Sequence, residues 1–165
     1  MKLIIKNKFF SLGGGSFVKD ENDQNVFKVK GKMISPTHKK KIYSMNKEKK
    51  YIVRNKFFKL FKSTALIYDF QGNKIGALTN KDFDFKNEYV LHGASDDITI
   101  SGNLLQFPNM KLEITKNGNK IGTIIKQFTI VRDTYTVEVD DDTEAAFLVA
   151  LVIAIDNILD RRRNN

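Results

Sequence analysis

Residues 145–155 read Ala-Ala-Phe-Leu-Val-Ala-Leu-Val-Ile-Ala-Ile, eleven apolar side chains without a polar interruption, and no other feature of this chain restricts its fold as much. Asp156-Asn157-Ile158-Leu159 carries the run on to Arg161, Arg162 and Arg163. Asp142 or Thr143 can cap a helix at its start, with Asp140, Asp141 and Glu144 near its positive end and the arginines near its negative end. The pattern predicts a helix over roughly 144–160, about 25 Å long. A membrane span needs about 20 apolar residues, so a run stopped at Asp156 reads as a core helix. A helix that is apolar on every side has to be enclosed by protein.

The remaining sequence supplies the enclosure. Aromatic and β-branched residues alternate with polar ones in short runs broken by Gly, Asn and Asp, which is the pattern of hairpin-linked antiparallel strands. Ser16–Lys19, Val26–Lys30, Tyr51–Arg54, Ala65–Tyr68, Tyr89–His92, Asp97–Ile100 and Tyr135–Val139 are such runs. Asn7-Lys8-Phe9-Phe10-Ser11-Leu12 recurs as Asn55-Lys56-Phe57-Phe58-Lys59-Leu60, with Asp-led turns following at Asp20 and Asp69. Gly72-Asn73-Lys74-Ile75-Gly76 recurs as Gly118-Asn119-Lys120-Ile121-Gly122, where Gly72 and Gly118 supply the positive φ of a tight turn. These spacings suit a unit of four short strands. Three units predict about a dozen strands, enough to close a barrel around the helix. The expected fold is therefore all-β dominated, one domain over residues 1–165: a closed antiparallel barrel enclosing a central hydrophobic C-terminal helix.

Several segments in this order carry a family resemblance. They are Phe10-Ser11-Leu12-Gly13-Gly14, Asp69-Phe70-Gln71-Gly72-Asn73, Ile100-Ser101-Gly102-Asn103, Asp133-Thr134-Tyr135-Thr136-Val137-Glu138-Val139, and the Ala145–Leu159 segment with Ala154-Ile155-Asp156. On them the chain resembles the LURP-one-related and YxjI-like families of the tubby C-terminal-like superfamily. The resemblance implies a twelve-stranded barrel threaded by its C-terminal helix. It also implies relatives that bind phosphoinositide headgroups or act at membranes, although no stretch here matches the tubby phosphoinositide motif residue by residue.

Charge narrows the function classes. The formal balance is +9, and it is unevenly spread: residues 1–60 carry 16 basic and 4 acidic side chains, and the rest of the chain is slightly acidic. Lys28, Lys30 and Lys32 share one face of a strand by period-2 spacing, and Lys39, Lys40, Lys41, Lys47, Lys49, Lys50, Arg54 and Lys56 follow closely. Such a field attracts anionic phospholipid headgroups, the expected partner. A protein-interaction or scaffold module with merely solvated lysines is the alternative. Nucleic acid is disfavoured, because only 5 of the 28 basic residues are Arg. The consecutive Phe residues at 9–10 and 57–58 read as core packing, with a remaining outward Phe as a membrane-inserting tip in the weaker reading.

With no cysteine and only His38 and His92, thiolate chemistry, Cys-ligated zinc and imidazole-rich metal sites are excluded. Gly13-Gly14-Gly15 precedes a strand rather than a helix, so it is no phosphate loop. Asp140-Asp141-Asp142 lacks the alternation of a calcium loop and reads as helix capping, while Asp96-Asp97 reads as a turn. Ser95 near His92 lacks the strained turn of a hydrolase nucleophile. No catalytic residue, metal or cofactor is expected, and the lumen, filled by the helix, should admit no small molecule. The short apolar start, Leu3-Ile4-Ile5, is no secretory leader, which predicts a cytoplasmic protein that attaches at most peripherally to a membrane.

Overall fold

The computed structural model describes all residues except 7–15, 32–34, 58–62, 82–85, 104–108, 128–133, 141 and 164–165. Its strands are β1 (Lys2–Lys6), β2 (Ser16–Asp20), β3 (Asn25–Gly31), β4 (Lys40–Ser44), β5 (Lys49–Asn55), β6 (Thr64–Tyr68), β7 (Lys74–Asn80), β8 (Lys86–His92), β9 (Ile98–Asn103), β10 (Asn109–Lys116), β11 (Asn119–Gln127) and β12 (Thr134–Val139). Each pairs antiparallel with its neighbours in sequence, and β1 closes the ring against β12 with Leu3 opposite Val137. A 3-10 turn over Asp142–Glu144 then leads into helix α1, Ala145–Arg163. The barrel and its helix are those expected, with α1 three residues longer at its C-terminal end.

Period-2 alternation sorts the strands into two faces. Leu3, Ile5, Val18, Val29, Ile42, Val53, Ile67, Leu78, Leu112, Ile114, Ile124 and Val137 point inward and are buried against α1. The helix is buried from Ala145 to Ile158, with Ala146 alone half-buried. Its closest approach is at Gly122 of β11, where a Cβ would overlap the Leu148 side chain and the Glu138 carbonyl oxygen. Only a residue without a side chain fits there.

The two barrel ends differ. At one end short turns join β2 to β3, β4 to β5, β6 to β7, β8 to β9 and β10 to β11, and α1 starts there. The other connections between strands all leave from the opposite end. Three of the turns share one geometry. Asp20, Ser44 and Asp69 each donate a backbone N–H to the carbonyl four residues on, at 2.9 Å. In return each side chain accepts the N–H of that fourth residue, at 2.9, 3.3 and 2.8 Å. The third residue after each has positive φ: Asp23 at 62°, Lys47 at 67° and Gly72 at 98°. The true repeat is thus one hairpin of 24 or 25 residues, half the predicted unit. The β10–β11 turn is the two-residue Asn117-Gly118, with φ of 51° and 80° as hairpin twist requires.

Candidate functional site

The exposed face of β2, β3 and β4 gathers most of the predicted basic residues. Lys28 and Lys30 point outward from β3 while Phe27 and Val29 point in. Register places Lys28 between Phe17 and Tyr43, and Lys30 beside Lys41. Two adjoining grooves follow from this arrangement. One, of about 510 Å³, is lined by Lys30, Gly31, Ser35, Pro36, Lys39, Lys41 and Tyr43. The second, of about 340 Å³, shares Lys30 and Tyr43 and adds Phe17, Lys28, Ser44, Met45 and Lys47.

Aromatic rings hold two of the ammonium groups in place. Lys28 Nζ lies 5.3 Å from the Phe17 ring centre and Lys30 Nζ lies 5.2 Å from that of Tyr43, within the range of cation–π attraction. Neighbouring lysines outside the grooves are neutralised: Lys19 by Asp23 at 2.8 Å and Lys50 by Glu48 at 2.9 Å. Among the described residues no carboxylate pairs with Lys28, Lys30, Lys39, Lys41 or Lys47. Phe17 (39 % exposed) and Met45 (45 %) add apolar surface at the edge. The arrangement can bind a phosphate-bearing surface that also offers hydrocarbon.

Not every predicted residue joins this site. Lys32 lies outside the described residues, as do Phe9, Phe10, Gly13–Gly15, Phe58 and Asp141. Lys49 and Lys50 sit at the start of β5, and Arg54 is directed to Tyr68, whose hydroxyl accepts from its guanidinium at 2.7 and 3.2 Å. Lys56 is exposed beyond the end of β5, and Phe57 is exposed too, the outward member of a pair whose other ring, Phe58, lies outside the described residues.

Lys40 requires a correction. It is 5 % exposed and points into the barrel, because it lies two residues before the inward Ile42 on the same strand. There its Nζ donates to Asn157 Oδ1 at 2.8 Å and lies 3.7 Å from Asp156 Oδ2. Tyr135 OH donates to Asp156 Oδ1 at 2.8 Å, Asn55 Nδ2 to the Asn157 carbonyl at 3.3 Å, and Asn157 Nδ2 to the His38 carbonyl at 3.2 Å. Lys126, also fully buried, sits 4.9 Å from the Tyr135 ring centre. Burial pushes the Asp156 carboxyl above the usual range against the pull of Lys40, and the same burial lowers Lys40 against the pull of Asp156 and Asp160. Enclosed around the helix, this layer has the chemistry of a structural clasp rather than of a ligand site.

Other candidates resolve simply. His92 Nε2 bonds Thr79 Oγ1 at 3.0 Å rather than Ser95. Asp96 lies in a turn and pairs with Lys116 at 3.4 Å, and Glu144, at the helix start, pairs with the same lysine at 2.8 Å. Among the described residues no group of three or more His, Asp and Glu side chains is placed to hold a metal, and no described helix is long and apolar enough to cross a membrane.

Comparison with curated proteins and with solved structures found no match. A family model described as LURP-one-related matches residues 1–156, from β1 to the buried Asp156. With nearly its whole length matched, the chain belongs to the LURP-one-related family.

Proposed function

We propose that this barrel is a non-enzymatic binding module that docks peripherally on anionic phospholipid headgroups through the β2–β4 face. The observation that carries the reading is the set of five lysines, Lys28, Lys30, Lys39, Lys41 and Lys47, converging on two connected grooves with no carboxylate partner among the described residues while apolar Phe17 and Met45 flank them. Lysines that are merely solvated gain nothing from such convergence, since like charges repel. An anionic surface repays it at about 1 kcal/mol per lysine, or about 5 kcal/mol in all, equivalent to a dissociation constant of a few tenths of a millimolar. Lysine suits this task as a compact point charge that requires no fixed bidentate partner. The non-enzymatic part of the reading is supported by the placement of Asp156, a carboxyl raised by burial, which is sealed in the core where no substrate reaches it.

Co-sedimentation with vesicles tests the proposal. Binding to phosphatidylcholine vesicles that contain phosphatidylserine, and not to phosphatidylcholine alone, is expected, with at least tenfold weaker binding after Lys30→Glu and Lys41→Glu together, as the loss of about 2 kcal/mol or more requires. Equal binding to both vesicle types, or to neither, would overturn it.

A further inference from the structure

One wall of the larger groove is the turn at Ser35–Lys39, between β3 and β4, which contributes Ser35, Pro36 and Lys39. Ser35 and Pro36 take the first two positions of a β-turn, closed by the His38 N–H donated to the Ser35 carbonyl at 3.0 Å. The Lys39 N–H is donated to Ser35 Oγ at 3.3 Å. His38 has a φ of 48°, a left-handed backbone that a non-glycine residue keeps only where its surroundings hold it. None of the five side chains is buried. Side-chain packing therefore does little to fix the turn, and the bonds its carbonyl groups accept decide where it stands.

Those bonds come from inside the barrel. The Thr37 carbonyl accepts the Asn55 N–H at 2.6 Å, and the His38 carbonyl accepts from Asn157 Nδ2 at 3.2 Å. Asn157, fully buried on α1, also accepts from Lys40 Nζ at its Oδ1, at 2.8 Å, and from Asn55 Nδ2 at its carbonyl, at 3.3 Å. Thr37, His38, Asn157 and Asn55 thus close a ring of hydrogen bonds that runs through the barrel wall from the helix to the outer turn. Lys40 is anchored in the same clasp, and strand alternation then faces Lys41 outward into the groove. From this geometry we infer that Asn157 is a positioning residue for the lysine groove: from within the barrel it holds the turn that keeps Lys39 beside Lys30 and Lys41. Three like charges repel, and a turn without this anchor relieves the repulsion by moving away. The inference rests on the docking reading above and adds what keeps its groove in shape. Such coupling is reciprocal, so an anionic surface that holds the turn also tightens the clasp around the helix.

The test compares two changes in the one helix. Asn157→Leu keeps the side-chain shape and removes the bonds to His38 and Lys40, whereas Leu151→Ala, about 9 Å away along the axis, weakens the core without touching the ring. Both are assayed with phosphatidylserine-containing vesicles at a temperature where they remain folded. Binding about fivefold weaker for Asn157→Leu, and unchanged for Leu151→Ala, is expected, as the loss of one pre-organising hydrogen bond requires. Equal binding of Asn157→Leu and the unaltered protein, or equal weakening in both variants, overturns the inference and leaves the docking reading intact. Failure of the unaltered protein to co-sediment overturns the docking reading itself. Hydrogen exchange in the unaltered protein gives a second readout should Asn157→Leu fail to fold. Asn55 is buried, so lipid does not shield its amide directly. Exchange there several-fold slower on bound vesicles, with the amide of Gly72 unchanged, is expected, and an unchanged Asn55 amide in bound protein overturns the coupling.

Discussion

Lys39, Lys40 and Lys41 are chemically identical neighbours, yet only the middle one faces the core, and its burial sets the strongest residue-level expectations. Lys40→Met removes the cation that pulls most strongly on Asp156 and should destabilise the fold by about 3–5 kcal/mol in urea unfolding. Lys40→Met combined with Asp156→Leu removes both charges and should recover most of that loss, because a buried ion pair is exchanged for packing rather than broken. Asp156 also imposes a pH dependence. Its folded pKa lies above its unfolded value, so the native state holds the extra proton between the two, and this component of stability falls as pH rises from about 4 through the folded pKa. The exposed Asp23 and Asp96, held low by Lys19 and by Asn117, act with the opposite sign. Thermal melts of the protein and of Asp156→Asn across this range should therefore diverge, the variant lacking the decline. The inward turn of Lys40 was readable, in principle, from its period-2 spacing to Ile42. A run of three lysines masks that parity, whereas the Phe27 and Val29 between Lys28 and Lys30 displayed it.

At the scale of elements, the apolar run at 145–155 made the helix and its enclosure legible, and hairpin punctuation made the strand number legible. Half of the repeat stayed hidden because Ser44 and Lys47 perform the parts that Asp69 and Gly72 perform one hairpin later. The turn requires a short side-chain acceptor at its first position and positive φ at its fourth, and neither requirement fixes one residue type. Lysine in the left-handed region costs about 1–2 kcal/mol, which the closed barrel sustains. Replacing Gly72 by Ala should introduce a comparable penalty, read as a lowered unfolding midpoint with unchanged slope. Gly122→Val is expected to be more damaging, since the new side chain must displace Leu148 of α1, and overpacking of this kind costs about 1–3 kcal/mol. The grooves were only partly legible: their lysines stood out, but Phe17, Tyr43 and Met45 join them through strand register, which sequence spacing does not reveal.

For the whole molecule, the +9 of the sequence falls chiefly on residues 1–60, carried by a barrel whose backbone hydrogen bonds close on themselves. Vesicle binding should accordingly weaken steeply with added salt, as contacts screened over about 10 Å at 0.1 M do, and binding that persists unchanged at high salt would point to apolar insertion instead. Closure has a further consequence, for the order of events during synthesis. The strand made first completes its pairing only with the strand made last, Leu3 with Val137, and the helix that fills the centre is made after both. Until residue 155 or so has emerged, twelve strands of inward-facing apolar side chains have no core to pack on. Folding is thus committed to contacts of long sequence separation and should be slow, with the nascent hairpins most exposed to aggregation just before the helix arrives.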